Sequence, residues 1–162
     1  MKLLTDSEKI SEYSKILDAF TESLPNLKSK PEMFDLLIHK LSELPHYEWT
    51  GIYEYDTPKE MLTLYPMYIG LPTDHIKIPK GKGVCGTAVA KNDDIIIDEV
   101  TKQENYLACS VGTRSEIVVL IKKENHTLGQ IDVDCDEPGA FNDTDQAYLK
   151  KIADLLAQNL PK

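Results

Sequence analysis

Three cysteines, Cys85, Cys109 and Cys135, are the residues of this chain best suited to chemistry, and their settings differ. Cys85 sits in KGKGVCGTAVA (residues 80–90), flanked by Gly81, Gly83 and Gly86, where a short helix is expected to start. A structural cysteine usually lies among large apolar side chains, whereas glycines let backbone or ligand come close. At a helix N-terminus the dipole also favours the thiolate, the nucleophilic form of the group. Cys109 lies in the polar, glycine-containing segment QENYLACSVGTRSE (residues 103–116). Cys135 follows an acidic strand and is read as incidental. An odd number of thiols fits free, catalytic or redox-active groups better than a disulfide framework.

Carboxylates form the second set. Asp132 and Asp134 are two apart on an expected strand and so point to one face, and Glu116 on the neighbouring strand brings a third acid to it. Like charges crowded in a partly dry pocket cannot all ionise. At least one carboxyl therefore has a raised pKa and is available as a proton donor near neutral pH. Trp49 and Tyr53 share a strand face and serve as core packing, as a substrate wall, or as both. His75 beside Asp74 lacks paired ligand spacing, so neither a metal nor a cofactor is expected.

These residues need elements to hold them. SEKISEYSKILDAFTESL (7–24) repeats apolar residues at Ile10, Tyr13, Ile16, Leu17, Phe20 and Leu24, the spacing of an amphipathic helix capped by Asp6 or Ser7. PNLKSKP (25–31) breaks it, and PEMFDLLIHKLSEL (31–44) gives a second helix with Met33, Phe34, Leu37, Ile38, Leu41 and Leu44 inward, ended by Pro45. EWTGIYEYD (48–56) and EMLTLYPMYIG (60–70) read as a hairpin about DTPKE. VCGTAVAKN is then a short helix, DDIIIDEV a strand, and EIVVLIKKENHTLGQIDVDC (116–135) two strands joined at KENHT. A closing helix begins at a cap among Asn142, Asp143 and Thr144. Helices at both ends of a mostly antiparallel sheet define an α+β domain. One domain over 1–162 is expected, with a helical segment at 1–45 and the last helix at 143–160.

Composition narrows the function classes. The 162 residues are 41% hydrophobic and 28% charged, a globular balance. With 18 basic against 27 acidic residues the formal charge is −9, which repels nucleic acid and anionic membranes. No segment approaches the roughly 18 apolar residues of a membrane span. MKLLTDSEKI carries charges too early for a secretory signal, so a cytoplasmic protein is expected.

Taken in order, Trp49, Gly51 and Tyr53, then IPKGKGVCGTAVA, LAC, SEIVV, LGQIDVD and the F-x-D-x-D of residues 141–145 resemble the GAF-domain free methionine-(R)-sulfoxide reductases. The resemblance runs from about residue 47 to the end. It implies a single GAF-like domain that reduces free L-methionine-(R)-sulfoxide with electrons from thioredoxin, often as a homodimer. It also implies that Cys109, in the A-C element before S-E-I-V, is the catalytic thiol and that Cys85 resolves the reaction by forming a disulfide with it. Carboxylates matching Glu116, Asp132 and Asp134 then line the substrate pocket. Three segments depart from the family pattern. His75 stands where typical bacterial members carry a further cysteine, Ser110, Val111 and Gly112 replace Asp-Ala-Ala, and YPMYIG (65–70) replaces G-P-F-Q-G.

Sulfoxide reduction by a thiol needs a nucleophile for the sulfur and an acid for the departing oxygen. On this reading Cys109 attacks, the acid trio supplies the proton, and an ionised member of the trio binds the α-ammonium of a free amino acid. The resulting sulfenic acid condenses with Cys85 to a disulfide and water, which requires the two α-carbons to come within about 7 Å. Two other readings share the fold: a non-catalytic small-ligand sensor, and a peroxide-responsive thiol switch.

Overall fold

The computed structural model describes residues 2–104, 106 and 112–161. Cys109, the expected nucleophile, lies outside them, as do its neighbours 107–111.

Helix α1 (Asp6–Ser23) starts one residue earlier than the periodicity predicts. Thr5, not Asp6 or Ser7, is its cap: the Thr5 hydroxyl accepts from the Glu8 N–H, and the Glu8 carboxylate accepts from the Thr5 N–H at 2.8 Å. Such a capping box needs Ser or Thr three places before the acid, and only Thr5 meets that here. The buried stripe is Tyr13, Ile16 and Phe20, while Ile10 is 45% exposed and the neighbouring Lys9 only 3%. Lys9 wins the inward position because its ammonium reaches Asp145 at 2.6 Å and donates to the Ala140 carbonyl at 2.9 Å. Tyr13 Oη and His46 Nε2 meet the other oxygen of the same carboxylate at 2.6 and 2.8 Å.

Ser29 caps α2 (Lys30–Ser42), whose Met33, Phe34, Leu37, Ile38 and Leu41 are buried as the spacing predicts. Six strands follow: β1 (Trp49–Asp56), β2 (Met61–Leu64), β3 (Lys77–Pro79), β4 (Ile95–Ile97), β5 (Ser115–Lys123) and β6 (His126–Cys135). They form one antiparallel sheet in the order β3-β2-β1-β6-β5-β4. The expected strand over 60–70 is shorter. Pro66, with no N–H for a ladder, lies where the chain leaves the sheet after Leu64, and contact resumes at Ile69, which bridges Thr50. The edge strand β3 and two short 3₁₀ turns (Leu24–Asn26 and Val100–Lys102) were not foreseen, being only three residues each and too short to show a period.

Helix α3 (Gly83–Lys91) precedes β4, and α4 (Asp143–Asn159) closes the chain with Asn142 as its cap. Alternation along the strands divides the interior in two. On one face Ile117, Val119, Ile131, Val133 and Cys135 pack against α1, α2 and α4. On the other, Trp49, Tyr53, Val118 and Leu120 lie under α3, which contributes Val84, Cys85, Ala88 and Val89. The first face carries the main core; the second carries the site. Among the described residues no helix is long and apolar enough to cross a membrane.

Candidate active site

Register assembles the acids. Glu116 of β5 pairs directly with Asp134 of β6, and Val118 pairs with Asp132, so the three carboxyls share a patch on the α3 side of the sheet. Their exposures are 1%, 0% and 1%, so they are a buried cluster rather than a solvated strand face. The third strand leaves room for them: Gly51 of β1 lies opposite Asp132, and Trp49 lies opposite Asp134. A Cβ at Gly51 would sit 2.5 Å from the Trp49 ring, so glycine lets the indole fold over that position.

The thiol arrives from above. Gly81 and Gly83 hold positive φ angles of +88° and +61° in the turn leading to α3, a region that L side chains rarely adopt. A Cβ on Gly86 would meet the Pro79 carbonyl at 2.4 Å, so this glycine is what allows the helix to lie against the turn. Cys85 stands in the first turn of α3, 3% exposed, and its thiol points to Glu116 Oε1 at 3.9 Å. Sulfur, Glu116 and Asp132 offer ligand atoms all within 4.8 Å of one another. The same atoms are close enough to share a cation, but no fourth Cys, His, Asp or Glu among the described residues joins them to complete a tetrahedral set.

Electrostatics follow from the crowding. Burial first, then the charges of Asp132 and Asp134, push the Glu116 carboxyl well above the usual carboxylate range. Burial, then Asp132 and Asp136, do the same to Asp134. Glu116 Oε2 and both oxygens of Asp134 meet no hydrogen-bonding partner among the described residues. A buried carboxyl in that state is held as the neutral acid, available to donate a proton.

Trp49 and Tyr53 are both fully buried, and their polar tips fix the segment that borders the site. Trp49 Nε1 donates to the Leu71 carbonyl at 3.1 Å, and Tyr53 Oη donates to the His75 carbonyl at 2.7 Å. They act as wall and brace together.

The segment carrying Cys109 is closed at its base. The Val100 N–H donates to the Arg114 carbonyl at 2.8 Å, and Arg114 Nε donates to both oxygens of Glu99 at 2.9 and 3.1 Å. The arginine holds the Glu99 carboxyl down at about 2. Arg114 stands two residues before Glu116 of the carboxyl cluster. Cys135, by contrast, belongs to the opposite core, where burial pushes its thiol up to about 11. Its sulfur accepts from the Glu137 N–H at 3.5 Å.

Two residues of this face were missed from sequence. Tyr106, three residues before Cys109, packs its ring against the Trp49, Tyr53 and Cys85 cluster. Gln130 shares the strand face of Asp132 and Asp134, and its fully buried amide has no hydrogen-bonding partner among the described residues. The period-two alternation of β6 could have found Gln130; nothing local marks Tyr106.

The GAF domain family profile matches residues 28–160, the class that this sheet and helix arrangement define. GAF domain-containing protein A of Dictyostelium discoideum is 39% identical over 116 residues, covering 72% of each chain. The free methionine-R-sulfoxide reductase of Escherichia coli is 34% identical over 119 residues, 72% of this chain and 67% of that one. The free methionine-R-sulfoxide reductase of Neisseria meningitidis, solved with its substrate, superposes with a TM-score of 0.85 at 29% identity, covering 91% of this chain and 87% of that one. The chain belongs to the GAF-domain free methionine-(R)-sulfoxide reductase family.

Proposed function

We propose that this protein reduces free L-methionine-(R)-sulfoxide to methionine, with Cys109 as nucleophile, Cys85 as resolving thiol and thioredoxin as reductant. The observation that carries the reading is the buried convergence of the Cys85 thiol with Glu116 and Asp132, all within 4.8 Å, beside the closed base of the segment that bears Cys109. The reading includes a cytoplasmic location and a homodimer.

In the first step the Cys109 sulfur attacks the sulfoxide sulfur. The sulfur–oxygen bond breaks, the oxygen passes to Cys109 as a sulfenic acid, and two electrons pass from the cysteine sulfur to the methionine sulfur. A protonated carboxyl of the Glu116, Asp132 and Asp134 cluster protonates the oxygen as it departs. In the second step Cys85 attacks the sulfenic sulfur, giving a disulfide and water, and thioredoxin reduces the disulfide. An ionised member of the trio binds the α-ammonium, a group that a peptide-bound residue lacks, and Trp49 and Tyr53 wall the pocket.

The test is sulfoxide consumption by the reduced protein with a thioredoxin system, beside Cys109→Ser and Cys85→Ser. Turnover absent in Cys109→Ser and stalled after one equivalent of methionine in Cys85→Ser supports these roles. Folded wild type with free thiols and no turnover would sink them.

A further inference from the structure

We propose that the Tyr106 hydroxyl is a further catalytic residue of this pocket, donating a hydrogen bond to the sulfoxide oxygen of the substrate. The inference rests on the reductase reading above and adds to it the group that receives the oxygen.

Tyr106 lies three residues before Cys109, and its ring packs against the apolar cluster formed by Trp49, Tyr53, Cys85 and Val118. That packing turns the phenol toward the acids, where the charges of Asp134, Glu116 and Asp132 all act on it. The hydroxyl is buried, has the Thr113 hydroxyl as its hydrogen-bonding neighbour, and makes no hydrogen bond to any of the three carboxyls. Thr113 acts on the phenol oxygen as a donor, so the phenol's own proton is left directed at no acceptor among the described residues, a donor held for something else.

The substrate supplies what is missing. A sulfoxide oxygen carries partial negative charge and accepts hydrogen bonds, while the described side chains around the cluster are mostly acids, which repel such an oxygen whenever they are ionised. A phenol offers a donor that carries no charge. Burial and the three acids also hold it above the ordinary phenol range, so it keeps its proton through the reaction. As the sulfur–oxygen bond breaks, the oxygen goes to Cys109 and the new proton comes from the carboxyl cluster. Tyr106 transfers nothing; it stabilises the charge that gathers on the oxygen.

The experiment compares wild type with Tyr106→Phe in two measurements: kcat/KM for free methionine-(R)-sulfoxide, and the Kd for methionine, which fills the same pocket but has no sulfoxide oxygen. The expected result is a loss of about 100-fold to 1,000-fold in kcat/KM, in the range seen when one such donor is removed, with the methionine Kd unchanged within twofold. Methionine binding also reports that the variant is folded. A kcat/KM within threefold of wild type overturns the proposal. So does a parallel loss of methionine binding, which would make Tyr106 a wall residue only. Absence of turnover in the wild type would instead remove the reductase reading, and this inference with it.

Discussion

Glu116 and Asp134 stand directly opposite each other across the β5–β6 ladder, both buried, with the Cys85 thiol 3.9 Å from the first of them. Two carboxyls so placed share their protons, and each is raised by its burial and its neighbours. On the proposed mechanism the acid form is the working form. Reductase kcat/KM is therefore expected to fall as pH rises through the raised pKa of the pair, and Glu116→Gln to lower it about 100-fold or more with a changed alkaline limb. Rate profiles of the two proteins between pH 6 and 10 check this; superimposable profiles would count against Glu116 as the donor.

The same pair costs stability. A carboxyl whose pKa is raised by folding costs nothing below its unfolded pKa, and its penalty grows as pH climbs from there to the folded value. Asp134→Asn keeps the shape and removes the charge. It is expected to be more stable than wild type by about 1–2 kcal/mol at pH 8, with the difference shrinking toward pH 4, while its activity drops. Urea unfolding at both pH values decides; an equal difference at both would show that ionisation is not its source.

Gly86→Ala tests how α3 is seated. The new methyl meets the Pro79 carbonyl at 2.4 Å and the Gly81 N–H group's nitrogen at 3.0 Å, both backbone atoms with little freedom to yield. The helix must shift away from the turn, taking Cys85 with it. A loss of about 1–3 kcal/mol is expected, together with slower disulfide formation after the first turnover. Single-turnover thiol titration beside thermal unfolding would separate the two effects.

Asp145 predicts behaviour at the acid end. Burial works to raise its carboxyl, but hydrogen bonds from His46, Lys9, Tyr13 and the Asn142 N–H outweigh it, so the pKa is lowered. Stability from a depressed carboxyl is present above its unfolded pKa and is lost as pH falls through the folded value. Asp145→Ala leaves the Lys9 ammonium buried without its counter-charge and is expected to cost about 3–5 kcal/mol at pH 7. The gap to wild type should narrow at low pH, as denaturant midpoints would show.

What the sequence made legible depended on whether the cause was local. The helix stripe of Met33 to Leu41, the pairing of β5 with β6 and the shared face of Asp132 and Asp134 follow from periods of 3.6 and 2, which any reader of the chain can apply. Ile10 was placed inward and Lys9 passed over because the inward turn of Lys9 is fixed by Asp145, 136 residues away. Tyr106 was missed for the same reason: its neighbours are the acids of β5 and β6, and no pattern in its own segment announces them. Cys109 itself lies outside the described residues, so the role proposed for it rests on the family motif.

The β5–β6 hairpin joins two demands in one strand. Along β6, Ile131, Val133 and Cys135 belong to the helix-covered core, while Gln130, Asp132 and Asp134 belong to the thiol side. A deletion of one residue before Gln130 would exchange the two sets, driving acids into the core and aliphatics into the pocket. The domain has no graded path through such a change. Its lineage is free to alter the chemistry by replacing residues on the site face one at a time, but the spacing between them is inherited whole or lost with the fold.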